Sequence, residues 1–165
     1  MSRKVFLPRG QALADELAPP TVDAIRKRLG GRMTDPNGPF RGGAVVDVET
    51  ASGGKRTGVV LCCGDATVDV LLDRGIVKRT APSRVVPHPG ATPEDLAGVA
   101  AQASVFASLT EGQPVHVERT RGETSRGVLR EKCRYGALVE DEGGAMLGVG
   151  FQRIWPAPLS SAETA

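Results

Sequence analysis

Residues 43–89 of this chain recur at 112–158, without a gap, 69 residues further on. At that spacing Gly43 aligns with Gly112, Val46 with Val115, Val48 with Val117, Glu49 with Glu118 and Gly53 with Gly122. Gly58 aligns with Gly127, Val70 with Val139, Gly75 with Gly144 and Arg84 with Arg153, and Pro87 and Pro89 meet Pro156 and Pro158. Self-similarity of this kind sets the architecture before any other feature, as two copies of one supersecondary unit. Each copy is too short to bury a large core alone, so each is expected to lean on neighbouring helices or on the other copy.

Composition narrows the class. Only 4% of the 165 residues are aromatic, so the cores must be built from Val, Leu, Ile and Ala. No apolar run reaches the roughly 18 residues of a membrane span, and Met1 to Gly10 lacks the apolar stretch of a signal peptide. Three cysteines, two of them adjacent, do not make a disulfide framework. A cytoplasmic, reduced protein that meets no membrane is expected. The net charge of +2 is uneven, with eight Lys/Arg against four Asp/Glu in residues 1–42 and near balance in each repeat.

Local patterns divide the chain into a basic helical arm and loop (1–42), a first repeat (43–89), a bridging helix (90–111), a second repeat (112–158) and a tail (159–165). In the arm, Gln11 to Ala18 predicts a short helix stopped by Pro19-Pro20. Thr21 caps a second piece that ends at Gly30-Gly31, with Arg26, Lys27 and Arg28 in its last turn. In the first repeat, Val46 and Val48 alternate with Asp47 and Glu49, and Thr57 to Cys62 suits a bent strand buried on both faces. Val68, Val70 and Leu72 alternate again, Ile76 to Thr80 follows, and Arg84 to Val86 closes the unit after one helical turn. Between the repeats, Thr92 and Pro93 start a helix whose Leu96, Val99, Ala100, Ala103, Phe106 and Leu109 form an apolar stripe.

Five short strands, a helical turn before the fifth, and closing segments Val85-Val86-Pro87 and Ile154-Trp155-Pro156 resemble SH3-like small barrels. Val68 to Gly75 and Arg84 to Pro87 are similar to strand signatures of Tudor-type and agenet-type barrels. Val48 to Gly58 and Val117 to Gly127 keep the valine-to-glycine spacing of a KOW motif, with Ala51 and Lys55 where its middle glycines would stand. The resemblance implies a mainly β chain of two five-stranded SH3-like barrels in tandem. It implies a binding role as well, since KOW-type members dock on RNA, ribosomes or RNA polymerase. The aromatic cage of methyl-lysine readers is not matched: the first repeat has no Phe, Tyr or Trp, and Trp155 aligns with Val86, a core-like position.

Chemistry of the enzymatic kind is not expected. Cys62 lies in an apolar strand, away from His88 and His116, and reads as a buried structural cysteine. Cys62, Cys63, Cys133, His88 and His116 lack zinc-ligand spacing. Gly53-Gly54-Lys55-Arg56-Thr57 lacks the spacing of a phosphate loop and reads as a hairpin tip. No catalytic residue, metal ligand or cofactor site is therefore expected. The candidate contacts are the cations Arg26, Lys27, Arg28, Lys55, Arg56, Arg119, Arg121, Arg126, Arg130, Lys132 and Arg134. In the second repeat they are interleaved with Glu118, Glu123 and Glu131, which are available as ion-pair partners. The expected function is a non-enzymatic binding adaptor for nucleic acid or a ribonucleoprotein, with Arg119, Arg121, Arg130 and Arg134 outweighing Arg74, Lys78 and Arg79. The alternative is a protein–protein assembly module that uses apolar helix faces and strand edges.

Overall fold

The computed structural model describes residues 2–3, 21–33, 38–72, 75–119 and 122–158. In chain order the strands are β1 (Ser2–Arg3), β2 (Val45–Glu49), β3 (Lys55–Cys63), β4 (Val68–Leu71), β5 (Val77–Thr80), β6 (Val85–Pro87), β7 (Pro114–Glu118), β8 (Thr124–Lys132), β9 (Gly136–Asp141), β10 (Met146–Gly150) and β11 (Ile154–Pro156). The helices are α1 (Val22–Arg28) and α2 (Glu94–Ser108). Neither is long and apolar enough to cross a membrane, and no other helix among the described residues is. The helix expected at Gln11 to Ala18 and the tail 159–165 lie outside the described residues.

The fold is mainly β. The chain forms two compact units, residues 1–6 with 33–107 and residues 7–32 with 108–165. The first holds an antiparallel sheet in the order β1-β5-β4-β3-β2-β6, and the second a sheet in the order β10-β9-β8-β7-β11. Register agrees strand for strand at the spacing of the repeat. Val46 faces Gly58 as Val115 faces Gly127, and Val60 faces Val70 as Leu129 faces Val139. Asp47 faces Val86 as His116 faces Trp155. Both long strands carry a bulge at the same place, between Val60 and Cys62 and between Leu129 and Glu131. A bulge bends a strand and shifts its alternation; Gly58 to Leu61 are buried without a break, whereas Arg126 to Arg130 ahead of the matching bulge alternate. The β2–β3 and β7–β8 turns match too: Gly53 and Gly122 take φ of +87° and +79°, values that side-chain-bearing residues rarely adopt.

Three expectations need correction. The sheets do not close into barrels: the last strand pairs with the first of its meander, and among the described residues no ladder joins β5 to β6 or β10 to β11. Each last strand is only three residues long and ends in a proline, which has no N–H to offer a second ladder. Val86 and Trp155 are not core positions. They sit opposite Asp47 and His116 on the outward face and are 44% and 37% exposed. Cys62 is half-buried and Cys63 is the buried member of the pair, because the bulge at Leu61 resets the alternation.

Among the described residues, each unit takes one α-helix. Helix α1 starts at Thr21, whose hydroxyl accepts from the Ala24 N–H, and its Ile25 and Leu29 are buried with Cys133, Leu138 and Met146 in the second unit. A Cβ at Gly148 would stand 2.3 Å from Cγ2 of Ile25, so glycine there lets the helix lie close on the sheet. The segment ahead of the first repeat therefore completes the second. Helix α2 buries Leu96, Ala103 and Phe106, with Val99 half-buried. It lies against the first unit, where Gly43 allows the close approach of Ser104. The inner core of that unit is Val46, Val48, Val60, Cys63, Val68, Val70, Leu72 and Val85.

Candidate anion-binding cleft

Three arginines of the second repeat are matched to carboxylates. Arg119 lies 3.9 Å from Asp141, Arg130 lies 2.8 Å from Glu140, and Arg153 lies 3.2 Å from Glu118. Glu131, only 12% exposed, collects two cations. Arg26 of α1 reaches it at 2.5 Å and Arg32 at 3.2 Å. The hydrogen bond from Arg26 holds the Glu131 carboxyl below the ordinary carboxylate range, and Arg32 adds to this. The same hydrogen bond pushes the Arg26 guanidinium pKa upward. Arg26 also bonds Asp23. It is a clamp between helix and sheet as well as a candidate contact.

The remaining candidates are spread out. Lys27 and Arg28 are exposed on α1. Arg126 donates to the Pro158 carbonyl at 2.6 Å, and the Lys132 ammonium donates to the Leu109 carbonyl at 3.0 Å. Arg134 is half-buried beside the Gly31 backbone, to which its own N–H donates. Arg121 lies outside the described residues. Thus, among the described residues, the second-repeat cations are not brought together on one surface.

The first unit does gather cations. Val48, Thr50, Ala51, Ser52, Gly54, Lys55, Arg56, Leu72 and Lys78 line a cleft of about 550 Å³. Its walls come from the β2–β3 hairpin and from β5. Arg56 pairs in register with Val48, and Lys78 with Val70, so both cations emerge from the core-facing side at the open end of the sheet. The Lys78 ammonium donates to the Glu49 carbonyl at 3.0 Å, tying β5 to the end of β2. Thr50 shapes the turn: its hydroxyl accepts from the Gly54 N–H and lies 3.1 Å from the Ser52 hydroxyl. Among the described residues that line it are Lys55, Arg56 and Lys78, the hydroxyls of Thr50 and Ser52, and an apolar floor of Val48, Ala51 and Leu72. That is the chemistry of an anion site, with a phosphate group as the natural fit.

The corresponding place in the second unit is chemically different. Where the first has Lys55, Arg56, Leu72 and Lys78, the second has Thr124, Ser125, Asp141 and Leu147. Where the first has Thr50, the second has Arg119, whose guanidinium faces Asp141. The internal ion pair stands at the positions aligned with Thr50 and Leu72 of the first unit's cleft.

Sequence reasoning singled out Lys55 and Arg56 at this hairpin but missed Lys78, Thr50 and Ser52. Only the pairing of β5 next to β4 brings Lys78 within reach. The Cys133 thiol offers little to nucleophilic chemistry: burial, then Glu131, pushes it up to about 12. His88 instead bonds Asp47 at 2.9 Å, and Thr57 donates to the same carboxylate at 2.7 Å. The Thr57 bond and then His88 hold Asp47 below the ordinary range. With the carboxylate in the middle, this trio lacks the hydroxyl–imidazole contact of a nucleophilic triad. No protein-family model matches the chain, and no curated protein matches it.

Proposed function

We propose that this protein is a binding adaptor for nucleic acid or a ribonucleoprotein, contacting the phosphate backbone through Lys55, Arg56 and Lys78 of the first unit. The supporting observation is the cleft itself, which Lys55, Arg56 and Lys78 line together with two hydroxyls. The contrast with the second unit, where Arg119 and Asp141 fill the same place, adds to it. We read each unit as an SH3-like module with the last strand returning to the first, and the function as binding rather than catalysis.

Phosphate contact releases counterions, so affinity should fall steeply with salt. Fluorescence anisotropy of labelled RNA and DNA over a salt series tests the reading. Lys55→Glu with Arg56→Glu should weaken binding far more than Arg119→Glu with Arg130→Glu. Absence of binding at low salt, or equal effects of the two pairs, would overturn it.

A further inference from the structure

The outward face of the second sheet carries a second feature. Trp155 on β11 sits opposite His116 on β7, and His116 sits opposite Arg126 on β8. Residues paired across antiparallel strands point to the same face and lie side by side. These three side chains therefore form one continuous row, and each ends in a planar π group. Trp155 is 37% exposed, and His116 and Arg126 are half-buried. The Arg126 guanidinium is held by the Pro158 carbonyl just beyond β11, which draws it along the row toward the Trp155 strand.

The first unit shows that the fold does not require this. At the same three register positions it has Val86, Asp47 and Thr57. There the carboxylate is bonded by Thr57 and His88, and none of the three row residues themselves carries a ring or a cation. An exposed indole beside an imidazole and a guanidinium suits an unpaired nucleobase. The base can stack on the ring, while the cation favours the phosphates that flank it. A base inside a duplex shows only its edge and cannot use such a row.

We propose that the Trp155–His116–Arg126 row is a stacking platform for unpaired bases, which makes single-stranded nucleic acid the preferred ligand. The proposal rests on the nucleic-acid reading above but involves a different surface. Trp155 is the only tryptophan, so indole emission reports this site alone. The intact protein is titrated at low salt with an oligothymidylate of about 12 nucleotides and with a duplex of equal length. The single strand should quench the emission, and the duplex should leave it nearly unchanged. Trp155→Ala should weaken single-strand binding about tenfold, with duplex binding retained. Trp155→Phe, which keeps a ring, should restore most of the loss. Single-strand binding that leaves the emission unchanged, or that survives Trp155→Ala at full affinity, would overturn the platform while leaving the cleft reading intact. An emission change produced only by a protein partner would assign the row to protein contact and overturn the platform too. Failure of both oligonucleotides to bind at low salt would remove both readings.

Discussion

The two repeats share a backbone register and differ in what they do with the same positions. On the outer face of β4, Asp69 is buried and held by Arg79 at 2.8 and 3.0 Å. The aligned positions in the second unit are Leu138 and Gly148, and there helix α1 lies on the sheet through Ile25 and Leu29. At the open end of the sheet the relation reverses: the first unit leaves a cationic cleft, and the second fills the place with Arg119 and Asp141. One backbone scaffold therefore carries two different sets of side chains. Glycines at the turns and valines in the core preserve the scaffold, while polar substitutions at register-matched sites change the chemistry.

The largest expected effects break the claim that each unit depends on its own helix. Phe106→Ala should destabilise the first unit by about 3–5 kcal/mol, since Phe106 is buried under α2. Leu29→Ala should cost about 2–5 kcal/mol, with Leu29 at 0% exposure against the second sheet. Hydrogen exchange resolved by residue checks both. The Leu29 variant should speed exchange in β9 and β10 and spare β3 and β4, and exchange accelerated equally in both units would contradict the assignment of α1 to the second.

A smaller effect sharpens the contrast on the outer face. Gly148→Ala should cost about 1–3 kcal/mol in thermal unfolding, because its Cβ would run into Ile25. An unchanged melting temperature would mean that the helix does not lie that close.

Smaller still is the contribution of the Arg26–Glu131 clamp. Its folded carboxyl is held low, so folding favours the ionised form. The stabilisation is therefore complete above the ordinary carboxylate pKa and is lost as pH falls through the lowered value. Acid unfolding of Glu131→Gln should show a shallower loss of stability over that window than the parent protein. An identical acid profile would show that the clamp adds nothing.

The chain reveals its fold more readily than its site. The gapless spacing exposes both meanders and the turn glycines at 53 and 122, and a local cap pattern exposes Thr21. The docking of α1 is hidden, since Arg26 and Glu131 are 105 residues apart and no periodicity links them. Counting arginines points to the second repeat because charge density along a chain does not show which carboxylate lies across the strand. Arg130 meets Glu140 and Arg119 meets Asp141 only once β8 and β9 pair and the turns close. Lys78 reads as an ordinary strand cation until β5 takes its place beside β4. The exposure of Trp155 escapes the sequence for a similar reason: it follows from register opposite His116, which alignment with Val86 alone does not give.

The central proposal is that the cleft of the first unit, more than the ion-paired Arg119 and Arg130 of the second repeat, meets the phosphate backbone. The second repeat supplies its own control, because its residues at the same sites already suit this scaffold. Lys55→Thr, Arg56→Ser and Lys78→Leu together install in the first unit what Thr124, Ser125 and Leu147 provide in the second. Oligonucleotide anisotropy over a salt series should then show weakened binding, with the slope of log affinity against log salt flattened by about 0.7–0.9 for each phosphate that is no longer neutralised. A triple variant that is folded by circular dichroism and keeps both the parent affinity and the parent slope would contradict the account.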